Sequence, residues 1–299
     1  MRFLACTLAL AAPLAALPAA AASPTPLSAW YMYGASAGDL RSNAYLHGCD
    51  FARAQPGTSL RILLLDFGAA RKLDASTWGA VDFGNTTFSN AEILAALERS
   101  ADGYHNCHVR GSVDVLYGTS NYQLSGSGMS TSDAWYAGYH QSERAKNLHD
   151  YQVSKGYSSQ TSDAAGDMEP SWDGQLITKQ LVNGDQGHGW ALYYDFGSAD
   201  GCPQNGSADG VCTNGWHVSD VGYVSFHGPA VPLPEIYYGA NAGQWTVVRK
   251  WWDGAQSSDY FFGGVTASTG VGLAPSAAWN TLESLNGGLV DSELVCFGC

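Results

Sequence analysis

The sequence predicts an α/β fold: a single (β/α)8 barrel of the TIM type, with some helices shortened or replaced by loops, and stapled by disulfides. Three observations carry this expectation: eight short apolar runs of strand length, helical patterns in several of the gaps between them, and a length suited to one barrel. The runs are "AWYMYG" (29–34), "RILLLDFG" (61–68), "VDVLYG" (113–118), "DAAGDMEP" (163–170), "WALYYDFG" (190–197), "VGYVSF" (221–226), "PEIYYG" (234–239) and "YFFGGVT" (260–266). A doubly wound open sheet is the alternative arrangement of the same elements.

Between the second and third runs, "SNAEILAALERSADGYH" places Ser89 and Glu92 at capping-box spacing ahead of an apolar face from Ile93 to Leu97. "SDAWYAGYHQSERAKNLHDYQVSKGY" (132–157) sets Trp135, Tyr139, Leu148 and Tyr151 at roughly helical intervals, with Gly156 near its end, and reads as an amphipathic helix packed on a sheet. "DGQLITKQLVNGDQGHG" reads as a shorter helix ahead of the fifth strand. Beyond that strand, helix signals are sparse. No repeat, heptad run or linker divides the chain, so one domain is expected over residues 23–299.

Residues 1–22 are set apart as a signal peptide: one Arg, an apolar run and an A-x-A pattern near Ala20 to Ala22. Export follows as an expectation, and no later run approaches the ~20 apolar residues of a membrane span. Of seven cysteines one falls in the signal, leaving Cys49, Cys107, Cys202, Cys212, Cys296 and Cys299. In an exported chain these suggest three disulfides, with Cys49–Cys107, Cys202–Cys212 and Cys296–Cys299 the favoured pairing. A redox role for "CFGC" is the sharper alternative for the last pair. A formal charge of -13, with only 14 Lys and Arg, lacks the basic footprint of a nucleic-acid binder. Twelve per cent aromatic residues suit a neutral partner such as a sugar, and they equally suit a packed core.

Several runs end alike, in an acid or aromatic followed by glycine. In a barrel the C-terminal strand ends surround the active site, so Asp66, Asp195, Tyr117 and Tyr238 are expected to converge there with "DMEP". Residues two apart on a strand share a face, which turns Asp167 and Glu169 inward and Met168 outward. Neighbouring carboxylates push their pKa values apart, so one can hold a proton while the other is an anion. Glycosidic cleavage needs that division of labour. The catalytic candidates are Glu169 as acid, Asp167 as its partner, and Asp66 or Asp195 as a further carboxylate. Tyr117, Tyr194, Tyr238, Trp172 and Trp245 are the substrate-binding candidates.

Other motifs carry less. "HNCH" (105–108) lacks a third ligand, and no G-x-S-x-G, H-E-x-x-H or P-loop occurs, so neither a metal nor a cofactor is expected. His227 in "SFHGP" is a further pocket candidate.

The segments "YGTSNY", "DMEPSWD", "YYDFGSADGCP", "GWHVSDVGYVSF" and "LPEIYYGANAGQW", in this order, resemble a group of secreted bacterial proteins, common in actinobacteria and described as glycoside-hydrolase-like. More distantly the chain is similar to the family 25 glycoside hydrolases, secreted lysozymes that cut peptidoglycan on a β/α barrel. That similarity implies an acid at Glu169 beside Asp167, and it matches Ile236, Tyr237 and Trp245 to the family's "IY" strand and following Trp. The family opens with an Asp on its first strand, where "AWYMYG" has none; whether Asp66 takes that part stays open. The family 18 chitinase pattern D-x-x-D-x-D-x-E fits less well, with Ser162 and Ala165 where two acids would stand.

The function expected is therefore hydrolysis of a polysaccharide, possibly a cell-wall glycan, by a monomeric exported enzyme. A catalytically inactive barrel that binds glycans is the alternative, and a purely structural exported protein the remote one.

Overall fold

The computed structural model describes residues 23–54, 60–108, 110–190, 192–256, 261–267 and 272–299; the expected signal peptide lies outside them. Eight strands form one parallel wall: β1 (Leu27–Tyr31), β2 (Leu60–Lys72), β5 (Ser112–Ser120), β6 (Gln160–Asp167), β7 (Tyr193–Asp195), β8 (Ala230–Pro232), β9 (Phe261–Ala267) and β10 (Val290–Phe297). Their order is β8-β7-β6-β5-β2-β1-β10-β9. The two ends of that order meet through the residues after β8: Val265 N donates to Pro234 O at 2.7 Å and Ile236 N to Val265 O at 2.8 Å. The sheet thereby closes into the expected barrel, and two short strands, β3 (Trp78–Val81) and β4 (Thr87–Ser89), extend the end of β2 as an antiparallel flap.

Every connection between successive barrel strands carries a helix: α1 (Ala37–Ala54), α2 (Asn90–Cys107), α3 (Thr131–Ser154), α4 (Gln175–His188), α5 (Val218–Phe226), α6 (Gly239–Gln256) and α7 (Pro275–Asn286). Ser89 and Glu92 form the capping box that opens α2, as the spacing predicts. The long helix α3 departs from expectation in its face. Its buried stripe is Ala134, Ala137, Gly138, Gln141, Ser142, Ala145, Leu148 and Gln152, while Trp135 and Tyr139 flank it. The reason is a close crossing with α4: a Cβ on Gly138 would stand 1.8 Å from Leu181 O, and one on Gly184 1.8 Å from Trp135 O. Small residues let the two backbones touch, so large ones are pushed to the edges.

The C-terminal third corrects the sequence reading. "VGYVSF" is the second half of α5 rather than a strand: Val218, Val221, Val224 and Ser225 recur at helical spacing on the buried side, opened by a His217–Asp220 capping box. The strand in that part of the chain is the three-residue β8, and the eighth strand is β10, in "VDSELVCF". The helices α6 and α7 occupy the region where signals looked sparse. All three disulfides join the expected pairs, Cys49–Cys107 tying α1 to α2.

Strand register shows which side chains face the axis. Tyr31 stacks on Phe297 across β1 and β10 at 4.2 Å, whereas Trp30 stacks on His47 of α1, so Tyr31 points inward and Trp30 outward. Following the paired positions, Asp66, Gly118, Ala165, Tyr194 and Val231 share the inward side. Below them Leu27, Ala29, Leu64, Leu116, Val265 and Val295 fill the barrel and are buried. The floor beneath the C-terminal ends is mostly apolar, interrupted by the buried Asp163 at the level of Leu116 and Asp114 one layer lower.

Candidate active site at the C-terminal mouth

Two residues above Ala165, alternation turns Asp167 inward, and Glu169 follows on the same side while Met168 packs outward against the helix layer. Glu235, on the segment that closes the barrel, joins them: carboxylate oxygens of Asp167, Glu169 and Glu235 lie within 4.8 Å of one another. Asp66, in the middle of β2 where its parallel pairing with β5 shifts register, faces the same space. Exposure is 0% for Asp66, 4% for Asp167, 8% for Glu169 and 9% for Glu235.

The loop bearing Glu169 is held from several sides. Asn121, fully buried after β5, accepts Glu169 N through Oδ1 at 3.0 Å and donates through Nδ2 to Glu169 O at 3.0 Å and to Thr178 Oγ1 at 2.9 Å. Asp173 accepts Ser125 N and Ser125 Oγ, each at 2.7 Å, and its carbonyl accepts Trp216 Nε1 at 2.8 Å. Ser171 Oγ donates to Glu169 Oε2 at 3.0 Å. Gly197 is required alongside, because a Cβ there would stand 2.2 Å from Met168 O. Such a shell fixes the position of Glu169 before any ligand arrives.

Burial dominates the electrostatics. It pushes the Glu169 carboxyl up to about 7, with Asp200 adding to the rise and the Ser171 hydrogen bond opposing it. Asp167 is raised well above the ordinary carboxylate range by burial and then by the charges of Glu169 and Glu235. Glu235 is raised by burial and by Glu169 and Asp200, against a hydrogen bond from Tyr237. Burial takes Asp66 to about 7, although its Oδ1 accepts Gly68 N at 2.9 Å. Among the described residues no Lys or Arg pairs with any of these four acids. They titrate as one unit that holds protons into the neutral range. The hydroxyls of Tyr31 and Tyr237, 3.5 Å apart, stand beside the cluster, and both are held protonated by burial and the nearby acids.

Not every expected residue reaches this space. Asp195 is one register step out of phase with Asp167, pairing with Gly166, and so faces outward. Its carboxylate accepts Ser225 Oγ of α5 and Gly197 N, and it is fully buried. Tyr117 is also turned outward: it packs edge-on to Phe67 and donates to Asn90 Oδ1 at the start of α2. Trp245 is buried in the helix layer, edge-on to Phe261, and lies outside the pocket. His227 caps the end of α5 and stacks on Tyr223. Tyr194 points inward on the level of Asp66, one layer below Asp167, and hydrogen-bonds to Asp114 beneath it. Trp172 and Tyr238 do lie on loops at the mouth, Tyr238 half exposed.

Sequence reasoning missed Glu235, Asn121 and most of the rim. Glu235 sits inside "PEIYYG", where a strand starting at Pro234 places it at the beginning of the run and not at its C-terminal end. The rim carries exposed Tyr33, Phe83 and Tyr122; Tyr122 meets Trp172 edge-on at 5.7 Å, and Phe83 meets Tyr31 at 4.7 Å. A cavity of about 490 Å³, lined by Ser125, Met129, Asp173, Gly174, Leu176 and Asn214 among others, opens on the neighbouring loops; none of the inward acids lines it.

Chemically, the cluster can donate a proton and present an anion within the same few ångströms. Three converging oxygens are also a spacing that can surround a metal ion, which the sequence did not lead one to expect. No helix among the described residues is long and apolar enough to cross a membrane. The chain matches no known protein-family model, no curated protein and no solved structure.

Proposed function

We propose that the protein is an exported, monomeric glycoside hydrolase that cleaves a polysaccharide, with a cell-wall glycan the first candidate. Glu169 is the proton donor and Asp167 with Glu235 its partners, the cluster sharing its protons so that one carboxyl acts as acid while another is the anion. The observation that carries this reading is the convergence of three inward, buried carboxylates within 4.8 Å at the C-terminal end of the barrel. Glu169, raised to about 7, holds a proton at mildly acidic pH and can deliver it to the glycosidic oxygen as the C–O bond breaks and its electron pair leaves with that oxygen. The cationic sugar left behind needs an anion at close range, which the neighbouring carboxylates provide. Their spacing suits the ~5 Å of retaining enzymes better than the ~6.5–9.5 Å of inverting ones. Water then adds to the sugar and returns a proton to Glu169.

The three disulfides suit an oxidising compartment, and the resemblance of "DMEPSWD" to glycoside-hydrolase-like proteins supports the same roles. The test is reducing-end release from a panel of peptidoglycans and plant, fungal and bacterial polysaccharides, by the natural protein and by Glu169→Gln. Release by the natural protein alone is expected, and ordinary turnover by the variant would overturn the assignment.

A second reading is favoured by the contrast between acids that are at most 9% exposed and aromatics at the rim that are 42–51% exposed: a barrel that binds glycans without cutting them. Under it Glu169→Gln leaves glycan retention unchanged, while Trp172→Ala abolishes it.

A further inference from the structure

We infer that the sugar this mouth accepts carries a free amino group, so that the ligand is an amino-sugar glycan rather than a neutral or uronic-acid polysaccharide. The inference deepens the proposal above and rests on its placing a glycan at this site. Its first support is a gathering of acids to which no Lys or Arg among the described residues is paired. Asp66, Asp167, Glu169 and Glu235 point into one space from three parts of the wall, and Asp200 acts on two of them. The cations near this end of the barrel are engaged elsewhere. Arg71 Nη1 donates to the carbonyls of Ala70 and Tyr122 at 2.8 Å each, Lys72 pairs with Asp133, and His217 caps α5 with Asp220.

The second support is independent of the three-acid cluster. Asp66 is fully buried on another strand, and its Oδ2 has no hydrogen-bond partner; Asp167 Oδ1 is likewise unpartnered. Both acids act on Tyr31, which stands beside the cluster, so both face the same space. Buried acceptors without donors are costly, and the group that relieves them must bring hydrogens. An ammonium brings three N–H donors and a positive charge in a compact head. A hydroxyl or an acetamido group brings one donor and no charge, and a uronic carboxylate adds a further acid to the four already there. With the ammonium seated between Asp66, Asp167 and Glu235, Glu169 remains free to serve the glycosidic oxygen.

The experiment measures binding of a glucosamine hexamer, an N-acetylglucosamine hexamer and a galacturonic acid hexamer to the full-length Glu169→Gln protein by calorimetry, alongside cleavage of each by the natural protein. The glucosamine hexamer should bind at least roughly tenfold more tightly than the acetylated one. That preference should shrink in Asp66→Asn and separately in Glu235→Gln, each checked for an unchanged fold by circular dichroism. Equal or tighter binding of the acetylated or acidic hexamer would overturn the inference. So would the absence of binding by all three, or a site that takes up calcium chloride and no hexamer. Tight binding of the glucosamine hexamer without cleavage leaves the inference standing and removes the hydrolase. Cleavage of the acetylated hexamer as readily as the free amine does the reverse.

Discussion

The strands β6 and β7 lie side by side, each ends an apolar run in an aspartate, and each aspartate is buried. Yet Asp167 joins a cluster of acids at the barrel mouth, while Asp195 is tied to Ser225 in the helix layer. The register explains the difference: Asp195 pairs with Gly166, not with Asp167. One step along a strand turns a side chain through the wall. Composition and position at a strand end are therefore insufficient to assign a catalytic acid, and the side of the wall decides what the carboxylate can do.

The largest test of this contrast is turnover. Glu169→Gln should lower glycan cleavage by roughly 10²–10⁴-fold while leaving the melting temperature near that of the natural protein. Asp195→Ala should do the opposite. It strips the acceptor from Ser225 Oγ and Gly197 N in a fully buried setting, costing about 1–3 kcal/mol of stability in a chemical-denaturation series, with turnover per folded molecule little changed.

Asn121 tests the link between the two regions, because it orients Glu169 without facing the acids itself. Asn121→Ala should lower kcat more than it raises KM, and Asn121→Asp should fail to rescue it, since an aspartate cannot donate to Glu169 O.

The pH dependence of stability tests both sides of the wall at once. Asp66, Glu169, Asp195 and Glu293 are each raised to about 7 by burial, from ordinary values near 4. Between those limits the native state holds protons that the unfolded chain releases, so stability is highest near the lower limit and falls as pH rises through about 7. Acids held low, such as Asp133 at about 2, lose their contribution only in stronger acid. Calorimetry should show a melting temperature higher at pH 5 than at pH 8 by ~5 °C or more, a difference that shrinks in Asp66→Asn. The smallest effect belongs to the rim: on the hydrolase reading, Trp172→Ala should raise KM by roughly tenfold, from lost stacking on a sugar face.

Much of the N-terminal two thirds is legible in the sequence because its signals are local. "RILLLDFG" and "VDVLYG" are long apolar runs, Ser89 and Glu92 announce α2, and the alternation of Asp167, Met168 and Glu169 orients the pair correctly. The C-terminal third is harder to read because its strands are weak. In β8 only Ala230–Pro232 are regular, and the segment beyond binds its neighbours through single hydrogen bonds around Pro232 and Pro234. β10 carries Asp291 and Glu293 in its first half, which masks its apolar end. For the same reason Glu235 stays hidden: it reaches the site through barrel closure, a contact between distant parts of the chain. Asn121 is equally silent in sequence, since its role depends on a loop brought up from β6.

The most direct test of the central claim, that the inward acids form one proton-holding unit, is a titration of side-chain carboxyl carbons by ¹³C NMR. Signals would be assigned with Asp167→Asn, Glu169→Gln and Glu235→Gln. At least one of the three should titrate near or above pH 7, and removing a neighbour should lower the values of the others. Three independent titrations below pH ~5, each indifferent to the other substitutions, would contradict the account.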